Sequence, residues 1–270
     1  MPELPEVETI AQQIRDRYIG KRMIDIDTKP IAIFQNTTAG EFKKELKGKK
    51  LNAIKRYGKF LYWEVEGIYP VFHLGMSGIF ISDKSQSKFP QHIHISMKFD
   101  QHLYLYFQDV RKFSKIYLYH AAPDFTTQLG IDPTRENFTL INFKKLLNLK
   151  SIMIKSFLMD QKIIAGIGNI YANEILYDAN IHPVRPANTI DGKEAARLYR
   201  SIKKIIQLAI ERFGTSYSMY RTIGGETGRN QNFLKVYQKE GSICTECGTK
   251  IEKLWINNRS TFYCSKCQIK

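Results

Sequence analysis

The sequence predicts an α+β multidomain chain, and three observations carry that reading. An amphipathic helical pattern opens the chain, short alternating segments follow to about residue 120, and helical periodicity takes over after about residue 135. At 270 residues there is room for one large domain or two ordinary ones, each with its own core. No apolar run reaches the ~18–20 residues of a membrane helix. The first residues carry acids rather than a basic-then-apolar leader, so a cytoplasmic location is the expectation. Lys+Arg of 41 against Asp+Glu of 26 gives +15, which suits a polyanionic partner such as nucleic acid or simply a lysine-rich solvated surface.

Residues 5–18 (PEVETIAQQIRDRY) read as the first helix. Pro5 suits its first turn, Glu6 and Glu8 complement the positive end of its dipole, and Val7, Ile10, Ile14 and Tyr18 share one face. The runs FLYWEV, HIHISMKF, LYLYF and KIYLYH then alternate with polar residues between Gly, Pro, Asp and Ser, which predicts an antiparallel sandwich or barrel. In the helical half, GKEAARLYRSIKKIIQLAIERFG places Leu198, Ile202, Ile205, Ile206, Ala209, Ile210 and Phe213 on one face, with Gly214 as a stop. A segment rich in Gly, Ser, Thr and Asn follows and reads as a long mobile loop, a feature that is often functional. No internal repeat is present.

All four cysteines fall in the last 27 residues, as Cys244-x2-Cys247 and Cys264-x2-Cys267. The spacing matches two knuckles that complete one tetrahedral zinc site; two disulfides are the rival pairing, disfavoured in a reducing cytosol. A four-thiolate site has no open position, so the one Zn2+ is expected to be structural. Between the knuckles, KLWINNRST reads as strand–turn–strand with an Asn-Asn turn, which holds Arg259 at a hairpin tip. There the arginine is either a phosphate ligand or a solvated turn residue.

Three separated stretches now join: PELPEVET at the start, GIGNIYANEILYDANIHP in the helical half, and the cysteine hairpin with Arg259. Together with HLGMSG, DVRKF and TFYCSKCQ, they make the sequence resemble the formamidopyrimidine-DNA glycosylases, bacterial enzymes that excise oxidised purines, nearly end to end. PELPEVET is similar to this branch, whereas the endonuclease VIII branch shows PEGPE. The resemblance implies an N-terminal helix plus antiparallel β-sandwich over residues 1–134, a helix-two-turn-helix DNA-binding domain over 135–237, and a zinc finger hairpin over 238–270. It implies a monomer acting on damaged double-stranded DNA.

It also implies site residues. Removal of Met1 would free the secondary amine of Pro2, and an α-amino group titrates near pH ~8, below lysine. Such an amine attacks a sugar carbon to give a Schiff base, the role the resemblance assigns to Pro2. Without the resemblance, Pro2 reads as part of a helix start. Glu3 is then the acid/base partner and Glu6 a supporting carboxylate. Lys59 matches a catalytic, phosphate-binding lysine, and Arg259 joins the catalytic set on the flanking phosphates. His73, His92, Arg111, Lys150 and Asn169 are implied DNA contacts, with Asn169 expected as a helix N-cap after two glycines. Met76, Arg111 and Phe113 are implied fillers of the space left by a flipped nucleotide, although Met76 and Phe113 read by residue type alone as hairpin core. The loop over about 215–233 corresponds to one that closes over the damaged base. Departures from the family's pattern are Ile93 between the paired histidines, Ser114 for glycine, Ser156 for proline and Asn258 for glycine. The rival functions are excision of oxidised pyrimidines and non-catalytic, zinc-containing damaged-DNA binding.

Overall fold

In the computed structural model, which describes residues 1–217 and 219–270, the first helix α1 spans Leu4–Tyr18. Glu3 is its N-cap, with a reciprocal box: the Glu3 side chain accepts the Glu6 N–H, and the Glu3 N–H donates to Glu6 Oε2 at 2.7 Å. Val7, Ile10, Ile14 and Tyr18 are all buried, as their spacing predicts. Glu8 does more than complement the dipole. It pairs with the buried Arg56 at 2.7 Å and with Arg15 at 2.8 Å.

The chain clusters into two units, Met1–Asp124 with Ile210–Gln231, and Phe125–Ala209 with Asn232–Lys270. In the first unit α1 is followed by β1 (Met23–Thr28), α2 (Ala39–Leu46), β2 (Leu51–Tyr57), β3 (Phe60–Val65), β4 (Tyr69–His73), β5 (Gly78–Ile81), β6 (Ile93–Phe99), β7 (Tyr104–Asp109) and β8 (Lys115–Tyr119). These strands form two antiparallel four-stranded sheets, ordered β1-β6-β7-β5 and β2-β3-β4-β8. Both sheets bury their inner faces in one core around Trp63, Phe72, Phe80 and Phe107, so the sandwich is formed rather than the barrel. Each such side chain contributes about 1.5–3 kcal/mol by burial.

The four strand-like runs of the sequence coincide with β3, β6, β7 and β8; the other strands and α2 were not singled out. Strand β2 (LNAIKRY) lacks clean alternation because Arg56 is buried, satisfied by Glu8 and the Gly58 carbonyl. Helix α2 carries a legible signal, the Thr38–Glu41 capping box.

The second unit holds α3 (Leu140–Asn148), α4 (Ile154–Met159), α5 (Asn169–Asp178), α6 (Gly192–Glu211) and the hairpin β9 (Glu252–Ile256) and β10 (Arg259–Tyr263). Phe138, Phe143, Phe157 and Tyr199 stack at the centre of its helices. Leu198, Ile202, Ile206 and Ala209 form the buried stripe of α6. Phe213 does not join it. The helix ends at Glu211, Phe213 turns left-handed at φ 59°, and its ring is 39% exposed beneath Arg229. Asn257 and Asn258 both have positive φ (47° and 57°), the backbone of a two-residue hairpin turn. Among the described residues no helix is long and apolar enough to cross a membrane.

Candidate active site and nucleic-acid interface

In the first unit, the cap of α1 holds the chain start in place. Glu3 and Glu6 are almost fully buried, and the Glu6 carboxylate bridges two segments: Oε2 accepts Glu3 N–H, and Oε1 accepts Thr215 N–H at 2.7 Å. Gly214, at φ 75°, runs so close that a Cβ there would lie 2.8 Å from Glu6 Oε1. Burial lowers the Met1 α-amino group below its ordinary range. Glu3 and Glu6 oppose that shift, and Lys59 and Arg111 add to it. Glu3, Glu6, Lys59 and Arg111 therefore all act electrostatically on the amino terminus.

Lys59 sits in the two-residue turn between β2 and β3 and is 6% exposed. His73, at the end of β4, packs on the Phe60 ring with centroids 4.9 Å apart. Burial, Lys59 and Lys115 push its pKa down to about 4, so at neutral pH it is a neutral hydrogen-bonding group and not a cation. His92 is half-buried in a short turn beside Phe89 and His94.

Met76 and Phe113 stand 40% and 52% exposed, so they are not core residues, and the Arg111 guanidinium lies over the Phe113 ring at 4.7 Å. Their loops are locked by Asp109, a fully buried residue to which sequence reasoning gave no role. Its Oδ1 accepts the Ser77 hydroxyl and the Arg111 N–H, and its Oδ2 accepts the Ser114 N–H at 2.9 Å. The two loops touch backbone to backbone: a Cβ on Gly75 would meet the Phe113 carbonyl at 2.5 Å. An acid inside DVRKF, next to two turn residues, was the available signal.

The loop after α6 is irregular, as expected, but it is well tied within the first unit. Tyr220 and Ile223 enter the sandwich core, Ile223 N–H donates to Gln13 Oε1, and Ser82 N–H and Gln86 Nε2 donate to the carbonyls of Ile223 and Gly224. Ser218 lies outside the described residues.

In the second unit, Asn169 is the first residue of α5 and Gly168 is the N-cap, which corrects the expected cap. The Asn169 side chain turns outward from its own helix and donates from Nδ2 to the Ser260 carbonyl at 3.1 Å. Lys155 of α4, fully buried, donates to the same carbonyl at 2.8 Å and to Thr261 Oγ1 at 2.7 Å, and Asn173 accepts the Phe262 N–H. Two buried polar side chains, Lys155 and Asn173, and the half-buried Asn169 thus hold β10 directly behind the exposed Arg259. Lys155 and Arg259 line one cavity of about 630 Å³ with Met153, Ser156, Ile256 and Asn257. Lys155 was hidden in the sequence by the apolar run around it; Lys150 lies exposed just past α3.

The thiols of Cys244, Cys247, Cys264 and Cys267 lie within 4.8 Å of one another, with Sγ···Sγ of 3.8 Å for Cys244–Cys267 and 3.4 Å for Cys247–Cys264. These distances exclude disulfide bonds and suit four ligands around one metal ion.

Residues 1–116 match the formamidopyrimidine-DNA glycosylase N-terminal domain model, and residues 129–221 match the formamidopyrimidine-DNA glycosylase H2TH domain model. The chain is 36% identical over 272 residues to the formamidopyrimidine-DNA glycosylase of Listeria innocua, covering 99% of this chain and 100% of that one. The chain belongs to the formamidopyrimidine-DNA glycosylase family. The Pelotomaculum thermopropionicum enzyme of the same name is 37% identical over 273 residues, covering 99% of both chains. Among solved structures, a complex of Lactococcus lactis Fpg with DNA containing an abasic site matches at TM-score 0.90 and 35% identity, covering 99% of this chain and 100% of that one. Another Lactococcus lactis Fpg complex, holding a Fapy-dG-containing DNA, matches at TM-score 0.90 and 34% identity, with both chains fully covered.

The departures from the family's pattern have local accounts. The Ser114 hydroxyl donates to the Leu74 carbonyl, tying the Met76 and Phe113 loops together. Ser156 Oγ accepts from Asn257 Nδ2 at 3.1 Å, and Asn258 adopts the positive φ that a glycine would supply. Ile93 is buried against Ile79 and Ile81 on the outer face of the β5-β7-β6 edge.

Proposed function

We propose that this chain is a bifunctional DNA glycosylase and AP lyase of base excision repair, acting on oxidised purines such as 8-oxoguanine and formamidopyrimidines in double-stranded DNA. Family membership supports the activity, and the solved relatives that hold abasic-site or Fapy-dG DNA support the partner. The observation that carries the catalytic reading is the position of Pro2, buried directly ahead of the Glu3 cap of α1, at a chain start whose amine Glu3, Glu6, Lys59 and Arg111 all influence electrostatically.

In this reading Met1 is removed and the secondary amine of Pro2 attacks the sugar C1′. The N–C1′ bond forms as the bond to the damaged base breaks, and the base leaves with that electron pair. Glu3, immobilised by its cap, is placed to protonate the sugar oxygen and move protons, giving an iminium ion whose β- and δ-elimination nicks the strand. Lys59 and Arg259 serve proton transfer and phosphate binding. Asp109 presents Met76, Arg111 and Phe113 to the vacated stack. The four cysteines hold one structural zinc, since a tetrahedron with Zn–S of about 2.3 Å has S···S edges of about 3.8 Å.

The test is borohydride trapping on a duplex with 8-oxoguanine opposite cytosine, read by intact mass. The expected product is one covalent adduct on a chain that starts at Pro2, abolished by any extension retained ahead of Pro2. Adduct formation that survives such an extension would overturn the mechanism. Metal analysis should return one zinc per chain.

A further inference from the structure

The second unit contains a buried hydroxyl that the proposed chemistry does not use. Tyr177, near the end of α5, is 7% exposed and packs with Val236, Cys244, Ile251 and Phe262. Its Oη lies 3.2 Å from Cys244 Sγ, and Cys244 is itself only 2% exposed. A buried hydroxyl is costly without a partner, so the direction of this contact matters. A metal-bound thiolate has no proton to give, which leaves the tyrosine as the donor.

Four thiolates around one divalent zinc carry a net charge of about −2, and here much of that charge is out of water. Each knuckle offsets part of it with its own backbone N–H groups. Around Cys244 these belong to Glu246 and Cys247. Any C-x-x-C turn supplies such donors. The hydroxyl is different: it comes from another element and needs a tyrosine rather than a phenylalanine at that position of α5.

We propose that Tyr177 is a positioning residue for the metal site, donating a hydrogen bond to the zinc-bound Cys244 thiolate and thereby setting how firmly the ion is retained. This rests on the zinc reading above. The bond removes electron density from sulfur, draws Cys244 toward α5, and couples the cysteine lobe to the helix whose Asn169 and Asn173 hold β10.

The experiment is Tyr177→Phe, which keeps the ring and its packing. Two readouts are taken on the full-length protein. One is the thiolate-to-metal charge-transfer band after cobalt(II) replaces zinc; the other is transfer of zinc to a chromogenic chelator. The expected result is a band moved to lower energy and about tenfold weaker zinc retention. An unchanged band with unchanged retention would overturn the donor role while leaving the zinc reading intact. In a third measurement, equal losses of Tm in metal-loaded and metal-free protein would also overturn it, because the hydroxyl would then serve packing alone. Failure of the wild-type chain to take up either ion would overturn the zinc reading and the donor role with it.

Discussion

Two regions of the molecule solve the same problem with opposite charges. The Met76 and Phe113 loops of the sandwich and the hairpin of the second unit each present exposed side chains: Met76, Arg111 and Phe113 in one, Arg259 in the other. In the sandwich, Asp109 accepts two backbone N–H groups and a hydroxyl that point inward. In the hairpin the groups to be satisfied include a carbonyl and a buried hydroxyl, so two anchors, Lys155 and Asn169, are donors, while Asn173 accepts the Phe262 N–H. The sign of the buried anchor follows from which backbone groups the turn leaves unpaired. The functional side chain itself stays free of the scaffold, and its precision comes from the backbone beneath it.

The largest effect should come from Asp109→Ala, which strands two N–H groups and a hydroxyl in a water-poor site. A loss of about 3–4 kcal/mol is expected, read by denaturant unfolding, together with strongly reduced excision. If stability falls while excision of 8-oxoguanine paired with cytosine in a duplex survives, the loops are not positioned through this residue. His73 sharpens the contrast, because it faces cations where Asp109 faces dipoles, and it gives up its charge. With a folded-state pKa of about 4 against an ordinary 6.5, the folded chain binds fewer protons than the unfolded chain between those values. Stability is thus unaffected by this group above pH 6.5 and falls as pH drops toward 4, by up to about 3 kcal/mol. His73→Asn should flatten that slope in a pH series of unfolding curves, and an unchanged slope would assign it elsewhere. The smallest effect is expected from Lys155→Met. It removes two hydrogen bonds but also a buried charge, for a net loss of about 1–2 kcal/mol. Affinity for abasic-site DNA should fall more than stability, since β10 loses its support behind Arg259. A fall in stability alone would separate the hairpin anchor from DNA binding.

Much of the candidate site was legible because its chemistry is written in residue type and spacing. The cysteine knuckles, the Asn-Asn turn and the helix start at Pro5 are short-range patterns whose physics is local. The anchors were not legible for a common reason. Asp109, Lys155 and Arg56 are charged residues inside apolar or alternating runs, where sequence reading places them on the surface. Only their partners, 32 residues away for Ser77 and Asp109, 106 for Lys155 and Thr261, and 48 for Arg56 and Glu8, make burial affordable. The same limit explains Asn169. Two glycines and an asparagine read as an N-cap at Asn169, but the helix already begins there with Gly168 as its cap, and the Asn169 amide donates to the β10 carbonyl.

What the sequence by itself determined, then, is everything that a few neighbouring residues can settle: the first helix, four strands of the sandwich, the amphipathic stripe of α6, the cysteine knuckles and the hairpin between them. Tertiary structure alone decided the closed sandwich over the barrel, the exposure of Met76 and Phe113, the outward turn of Phe213, and the pairing of each buried charge with its anchor. Hydrogen bonds and burial across tens of residues depend on which groups meet, and the local pattern of side chains does not contain that information.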